Sequence, residues 1–115
     1  RMAAFLDRLR VFIFGNLIGG GLRNKIGVSA AVAWARHGGF ETTHLAHITA
    51  FLTHEMIPVS VHHCISPLGA SAVASPGGSG LFDKNIRHGV NLDEAGLHSA
   101  RVMIERAIGL AQALR

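Results

Sequence analysis

Lys25-Ile26-Gly27-Val28-Ser29-Ala30-Ala31-Val32-Ala33-Trp34 decides the fold class, and it runs straight into Ala35-Arg36-His37-Gly38-Gly39. The first ten residues form a near-continuous apolar run of mostly small and β-branched side chains. A strand buried on both faces of a parallel sheet reads this way. Just past the glycines, Leu45, Ile48, Phe51 and Leu52 recur at helical spacing, with Thr43, His44 and His47 outside the stripe. A second strand is expected over Met56-Ile57-Pro58-Val59-Ser60-Val61-His62, where a proline near the start is tolerated.

Upstream, Met2, Phe5, Leu6 and Leu9 also keep helical spacing. The apolar stretch that follows, residues 11–14, meets Gly15-Asn16 and the triplet Gly19-Gly20-Gly21, which reads as a loop. Downstream, residues 66–80 are rich in Gly, Ser, Ala and Pro and read as a long loop. Asn91-Leu92-Asp93-Glu94 has the form of a capping box with Asn91 as the cap. Leu97, Ala100, Ile104, Ala107, Ala111 and Leu114 then mark a final amphipathic helix. The order is helix, strand, helix, strand, loop, helix. Strands alternating with helices imply βαβ units on one parallel sheet. Two strands make a poor sheet, so the chain reads as one α/β domain over 1–115 whose earlier strands are missing. The opening Arg1-Met2-Ala3, without a helix cap or a signal-peptide layout, fits a cut chain.

Composition narrows the function classes. At 49% hydrophobic residues, a packed core is expected and disorder is not. Only 16% of residues are charged, which points to surface covered by a partner. No run reaches the roughly 18 apolar residues of a membrane span. The net charge of +4 is spread along the chain without basic-aromatic alternation, so nucleic acid is not an expected partner. The single cysteine, Cys64, excludes an internal disulfide, fits a reducing cytoplasm and reads as an inert thiol. Eight histidines include His44 with His47, and His62-His63-Cys64, but lack the converging ligand set that zinc needs. They are expected to be ordinary surface or interface residues, with no metal site.

Open α/β sheets bind ligands beyond the carboxyl ends of their strands. Ala33-Trp34-Ala35-Arg36-His37-Gly38-Gly39 occupies such an end. Its glycines let backbone approach a flat ring, and its amides can donate to it. Arg36 and His37 add positive charge. Trp34 is expected in the core, because a tryptophan closing a buried strand is more often packed than stacked on a ligand. Gly77-Gly78-Ser79-Gly80 lacks the strand and the Lys-Ser/Thr frame of a phosphate loop and reads as flexible.

Four segments taken together resemble the flavodoxin-like superfamily of NADPH-dependent FMN reductases, iron–sulfur flavoproteins and NAD(P)H:quinone oxidoreductases. Phe5-Leu6-Asp7-Arg8 is similar to its "F-[IL]-D-R" helix, and Gly38-Gly39-Phe40-Glu41-Thr42-Thr43 to its "G-G-x-E-T-T" turn. Phe51-Leu52-Thr53-His54-Glu55-Met56-Ile57-Pro58-Val59 is similar to "L-x-H-H-G-M-x-x-V". Asp93-Glu94-Ala95-Gly96-Leu97-His98-Ser99-Ala100-Arg101 is similar to the last helix, "D-E-x-G-L-x-x-A-R". The resemblance implies the C-terminal part of a three-layer flavodoxin-like fold with FMN as cofactor and NAD(P)H as co-substrate. It implies a small-molecule electron acceptor and a homo-dimer or homo-tetramer. The backbone of Ala33, Trp34, Ala35, Arg36, His37, Gly38 and Gly39 would line the isoalloxazine ring. Thr53 takes the place of the histidine that faces the flavin in the tetrameric quinone oxidoreductases, so no catalytic residue is assigned. Glu41 would order the turn at the helix start, where the dipole favours a carboxylate. The phosphate-binding loop and any iron–sulfur cysteines would lie upstream. An electron-transfer flavoprotein and a flavin-free oligomerisation module are the alternative expectations.

Overall fold

A computed structural model describes residues 1–14, 19–62 and 64–115. The expected turn at Gly15-Asn16 and the residue His63 lie outside the described residues. The chain is α/β, with small parallel sheets. Its strands are β1 (Ile26–Gly27), β2 (Ala30–Ala33), β3 (Ile57–Pro58) and β4 (Ala70–Val73). Its helices are α1 (Met2–Arg8), α2 (Val11–Phe14), α3 (Phe40–Thr53) and α4 (Glu94–Ala113), with short 3-10 turns at Pro76–Gly78 and Gly89–Leu92.

β1 pairs in parallel with β3, Ile26 opposite Ile57, and β2 pairs in parallel with β4, from Ala30 opposite Ala70 to Ala33 opposite Val73. The Val59 amide reaches Gly27 O and the Ala70 amide reaches Ser29 O, each at 2.9 Å, which joins the two pairings into one ladder. The expected strand at 25–34 therefore meets two successive partners along one edge. It is interrupted at Val28-Ser29, because the partner leaves the ladder after Val59 and rejoins it at Ala70.

That rejoining strand corrects the expected loop at 66–80. Ala70, Ser71 and Val73 are buried in β4. Small residues here serve close packing. A Cβ on Gly96 of α4 would lie 2.6 Å from Ala72 Cβ and 2.7 Å from its Cα, so helix and strand touch backbone to backbone. Such contact excludes bulky side chains from both surfaces.

The same contact rotates α4 relative to expectation. Its buried face is Gly96, Ser99 and Met103, with Ala100, Ala107 and Leu110 packed against the Val59, Ala70 and Met103 core. Leu97, Ile104 and Leu114, expected inside, are exposed. The cap also differs. Asp93, one residue before the helix, accepts the Gly96 amide at 3.1 Å, whereas Asn91 is exposed within the preceding turn.

In α3 the buried residues are Phe40 and His44, and the expected core leucines, Leu45 and Leu52, are exposed. His44 is fully buried rather than superficial because both of its nitrogens are satisfied: Nδ1 meets Ser29 Oγ at 2.7 Å and Nε2 meets Ser71 Oγ at 2.8 Å. The helix ends in a Schellman motif, with the Met56 amide on Phe51 O and the Glu55 amide on Leu52 O. Glu55 holds the left-handed position of that motif, φ 57°, a place that favours glycine.

α1 buries none of its seven residues. Its apolar side, Met2, Phe5, Leu6 and Leu9, lines a cavity of about 460 Å³ shared with Val28, Ala30 and Phe51. The edge of residues 25–33 facing away from β3 and β4 carries no strand among the described residues.

Candidate functional site

β2 ends at Ala33, and residues 34–39 make the turn that delivers the chain to α3. The turn is braced by the segment after β4. The Ala74 amide reaches Ala33 O at 2.8 Å, Ser75 N reaches Trp34 O at 3.0 Å, and Arg36 N reaches Gly78 O at 3.1 Å. Ala35 bridges Ser79, and the buried Ser75 hydroxyl accepts the Gly80 amide at 2.9 Å. Two loops at the carboxyl ends of parallel strands are thus stitched into one surface.

Both glycines of the turn have local causes. A Cβ on Gly38 would come within 2.5 Å of Ala33 Cβ and 2.8 Å of Ala35 O. Gly39 sits at φ 86°, a region L side chains seldom adopt, and its carbonyl accepts the hydroxyls of Thr42 and Thr43, each at 2.9 Å. Glu41 lies in the first helical turn. Of the turn amides, those of Arg36 and Gly38 are taken internally, Gly38 by Ala35 O at 3.0 Å. Among the described residues, those of His37 and Gly39 have no hydrogen-bond partner and can meet a ligand.

The side chains are placed less simply. Trp34 is not in the core: it is 48% exposed, its indole donates to Gly80 O at 2.8 Å, and it stacks on Phe82 with centroids 6.3 Å apart. The neighbouring Leu81 and Phe82 are among the most exposed apolar side chains described, and with Pro76 and Lys84 they wall a shallow groove of about 570 Å³. Arg36 leans away from the turn toward Asp93, Nη2 to Oδ1 3.7 Å, so part of its charge is already balanced. It lines a smaller cavity of about 190 Å³ with Val73, Ser75, Gly77, Gly89, Leu92 and Asp93. His37 is exposed beside it.

Asp93 is the hub that pattern reading missed. Its Oδ2 accepts the buried Val73 amide at 2.8 Å while Oδ1 caps α4 and faces Arg36. One carboxylate ties the end of β4, the start of α4 and the turn. The motif pointed to a cap at this place but not to the right residue. For Phe82 and Ser75 no periodic signal existed.

Ala33, Trp34, Ala35, Arg36, His37, Gly38 and Gly39 are therefore together. Thr53 is not with them. It is exposed at the far end of α3, its hydroxyl on Thr49 O at 2.8 Å, about 20 Å of helix from Gly39. Near it, Arg23 and Glu55 form an exposed ion pair that lowers the Glu55 carboxyl and raises the Arg23 guanidinium, mainly through their mutual hydrogen bond. Cys64 is half-buried, with its thiol on Ser66 O at 3.0 Å. Among the described residues, no three His, Cys, Asp or Glu side chains are placed to hold a metal ion.

No protein-family model matches the chain, and no curated protein matches it. Among the described residues, no helix is long and apolar enough to cross a membrane.

Proposed function

We propose that this chain is the C-terminal part of a flavodoxin-like FMN oxidoreductase that passes reducing equivalents from NAD(P)H to a quinone, a flavin or another small acceptor. One observation carries the reading: a glycine turn at the carboxyl end of a parallel strand, braced by the loop of the next strand, with two amides unspent. A flat heteroaromatic ring fits such a surface. The backbone can approach it closely, and the amides of His37 and Gly39 can donate to ring oxygens or nitrogens. The flavin supplies the redox chemistry when bound. The part left to residues 33–39 is to seat the ring and, through Trp34, to wall one side of it.

The open edge of residues 25–33 supports the same reading. Parallel strands are stable when covered on both faces and flanked by further strands, and among the described residues this edge pairs with no strand and lies beside an apolar cavity. Upstream strands bearing the phosphate loop would fill it. Thr53, a helix length from the turn, would reach a flavin only from a second copy, in keeping with a homo-dimer or homo-tetramer. A cytoplasmic setting fits the unpaired Cys64.

The test is the flavin content of the protein purified together with its upstream strands, followed by NAD(P)H oxidation with a quinone acceptor. Bound FMN with turnover is the expected result. FMN without NAD(P)H turnover would make the protein an electron carrier, and a colourless, folded oligomer that takes up no FMN would overturn the proposal.

A further inference from the structure

Three features lie outside the proposed flavin surface: the apolar cavity under α1, the cavity beside Arg36 and Asp93, and a chain of hydrogen bonds through the interior. The first belongs to the open strand edge and the second adjoins the turn. The third stands alone.

His47 Nδ1 lies 2.8 Å from Ser29 Oγ, which lies 2.7 Å from His44 Nδ1; His44 Nε2 lies 2.8 Å from Ser71 Oγ, which lies 3.4 Å from Gly69 O. Ser29, His44 and Ser71 are buried to 2%, 0% and 1% exposure, and the equally buried Ser99 hydroxyl accepts the Ser71 amide. A neutral imidazole has one N–H donor and one lone-pair acceptor, so one ring nitrogen of His44 donates to its serine hydroxyl and the other accepts from its serine hydroxyl. With His44 neutral, each group has one donor and one acceptor role.

We propose that the bridge from Ser29 through His44 to Ser71 is an acid-sensitive latch that fastens α3 to the strands, closed while His44 is neutral and opened by its protonation. Protonation turns the accepting ring nitrogen into a second donor aimed at a serine hydroxyl that had been donating to it, and that serine must reverse its own bond or break it. The new cation would also sit in a fully buried site. Among the described residues, no acid acts on it from the strands or α4, and the strands and the segment entering β4 present Ser29, Gly69 and Ser71. The ionisable groups acting on it are His47 and Glu41, both on α3. Burial first, then the charge of His47, hold the imidazole below the usual histidine value, and Glu41 opposes them. Two further contacts make the latch tight. A Cβ on Gly69 would lie 2.4 Å from His44 Nδ1, so the segment entering β4 lies directly against the ring, and Phe40 stacks near the ring at 6.5 Å between centroids.

The sign follows from linkage. A histidine whose folded pKa is depressed is bound by fewer protons folded than unfolded, so the contribution is complete above the unfolded value of about 6.5 and is lost as pH falls toward the folded value. Across that window the folding constant drops by up to about tenfold per pH unit for this one proton.

Urea denaturation of the full chain at about pH 7.5 and 5, which bracket the free imidazole pKa, tests this with His44→Gln and His47→Gln. Glutamine can donate and accept but does not titrate. The account expects His44→Gln to flatten the pH dependence by that one proton and His47→Gln to keep it. Equal slopes in wild type and His44→Gln, or a slope lost only in His47→Gln, overturn it. Should His44→Gln not fold, nitrogen NMR of wild type decides. His44 should carry a single ring proton at neutral pH, and gaining the second should speed amide exchange in α3 and at Ser71 ahead of α4. Protonation without that change in exchange overturns the latch.

Discussion

Where α4 crosses β4, Gly96 and Ala72 meet backbone to backbone, Asp93 ties three elements together, and Met103 is wholly enclosed. Where α1 approaches β1, no residue of the helix is buried, and Met2 and Phe5 stand more than half exposed beside an open cavity. Both regions flank the parallel strands. The difference teaches that the chain's apolar content is not spent evenly. One side is packed to the limit that side-chain size allows, and the other offers apolar surface and a bare strand edge to something further.

The packed side should break first and hardest. Gly96→Val would drive a branched side chain into Ala72 and Asp93, where even a Cβ lies within 2.7 Å. A loss of about 3 kcal/mol or failure to fold is expected in urea denaturation, the upper range for overpacking. A well-folded, equally stable variant would mean that helix and strand are not in contact as described. Asp93→Ala removes the helix cap and leaves the buried Val73 amide unpaired, and about 2–4 kcal/mol should go with it. Asp93→Asn should recover only part of that, since its single amide oxygen can accept from the Val73 or the Gly96 amide but not from both.

These two sites also show what was legible. The α/β class, the strand at 25–33, the helix after Gly39 and the clustering of residues 33–39 followed from apolar runs and glycine punctuation. β4 did not, because Ala70-Ser71-Ala72-Val73 looks like loop composition until Gly96 is known to press on it. The inward faces of α3 and α4 were misjudged for one reason in two forms. Hydrophobic periodicity assumes that large apolar residues face the core, whereas close contact selected Gly96 and Ser99, and paired serines let His44 replace a leucine. Trp34 moved outward because its indole found Gly80 O and Phe82 at the surface.

On the open side the expected effects are small, and that smallness is the test. Phe5→Ser should change the stability of this chain by no more than about 0.5 kcal/mol, as for other exposed positions. A large loss would show that α1 is covered in solution, by a second copy or by further strands, and sedimentation of the variant would tell which. Smaller still, Glu55→Gly should raise the thermal midpoint slightly. It relieves a left-handed backbone at the cost of an exposed ion pair with Arg23, and such pairs contribute little.

The central claim is that the turn at 34–39 seats a flavin ring. Trp34 is the only tryptophan, so its emission reports directly on that surface. Titration of FMN into the folded chain, followed by Trp34 fluorescence and by amide NMR shifts, tests the claim without requiring tight binding. The account predicts quenching of Trp34 with the largest shifts at His37 and Gly39, the two amides left unspent. Shifts centred elsewhere, or none at saturating FMN with the chain folded, would contradict it.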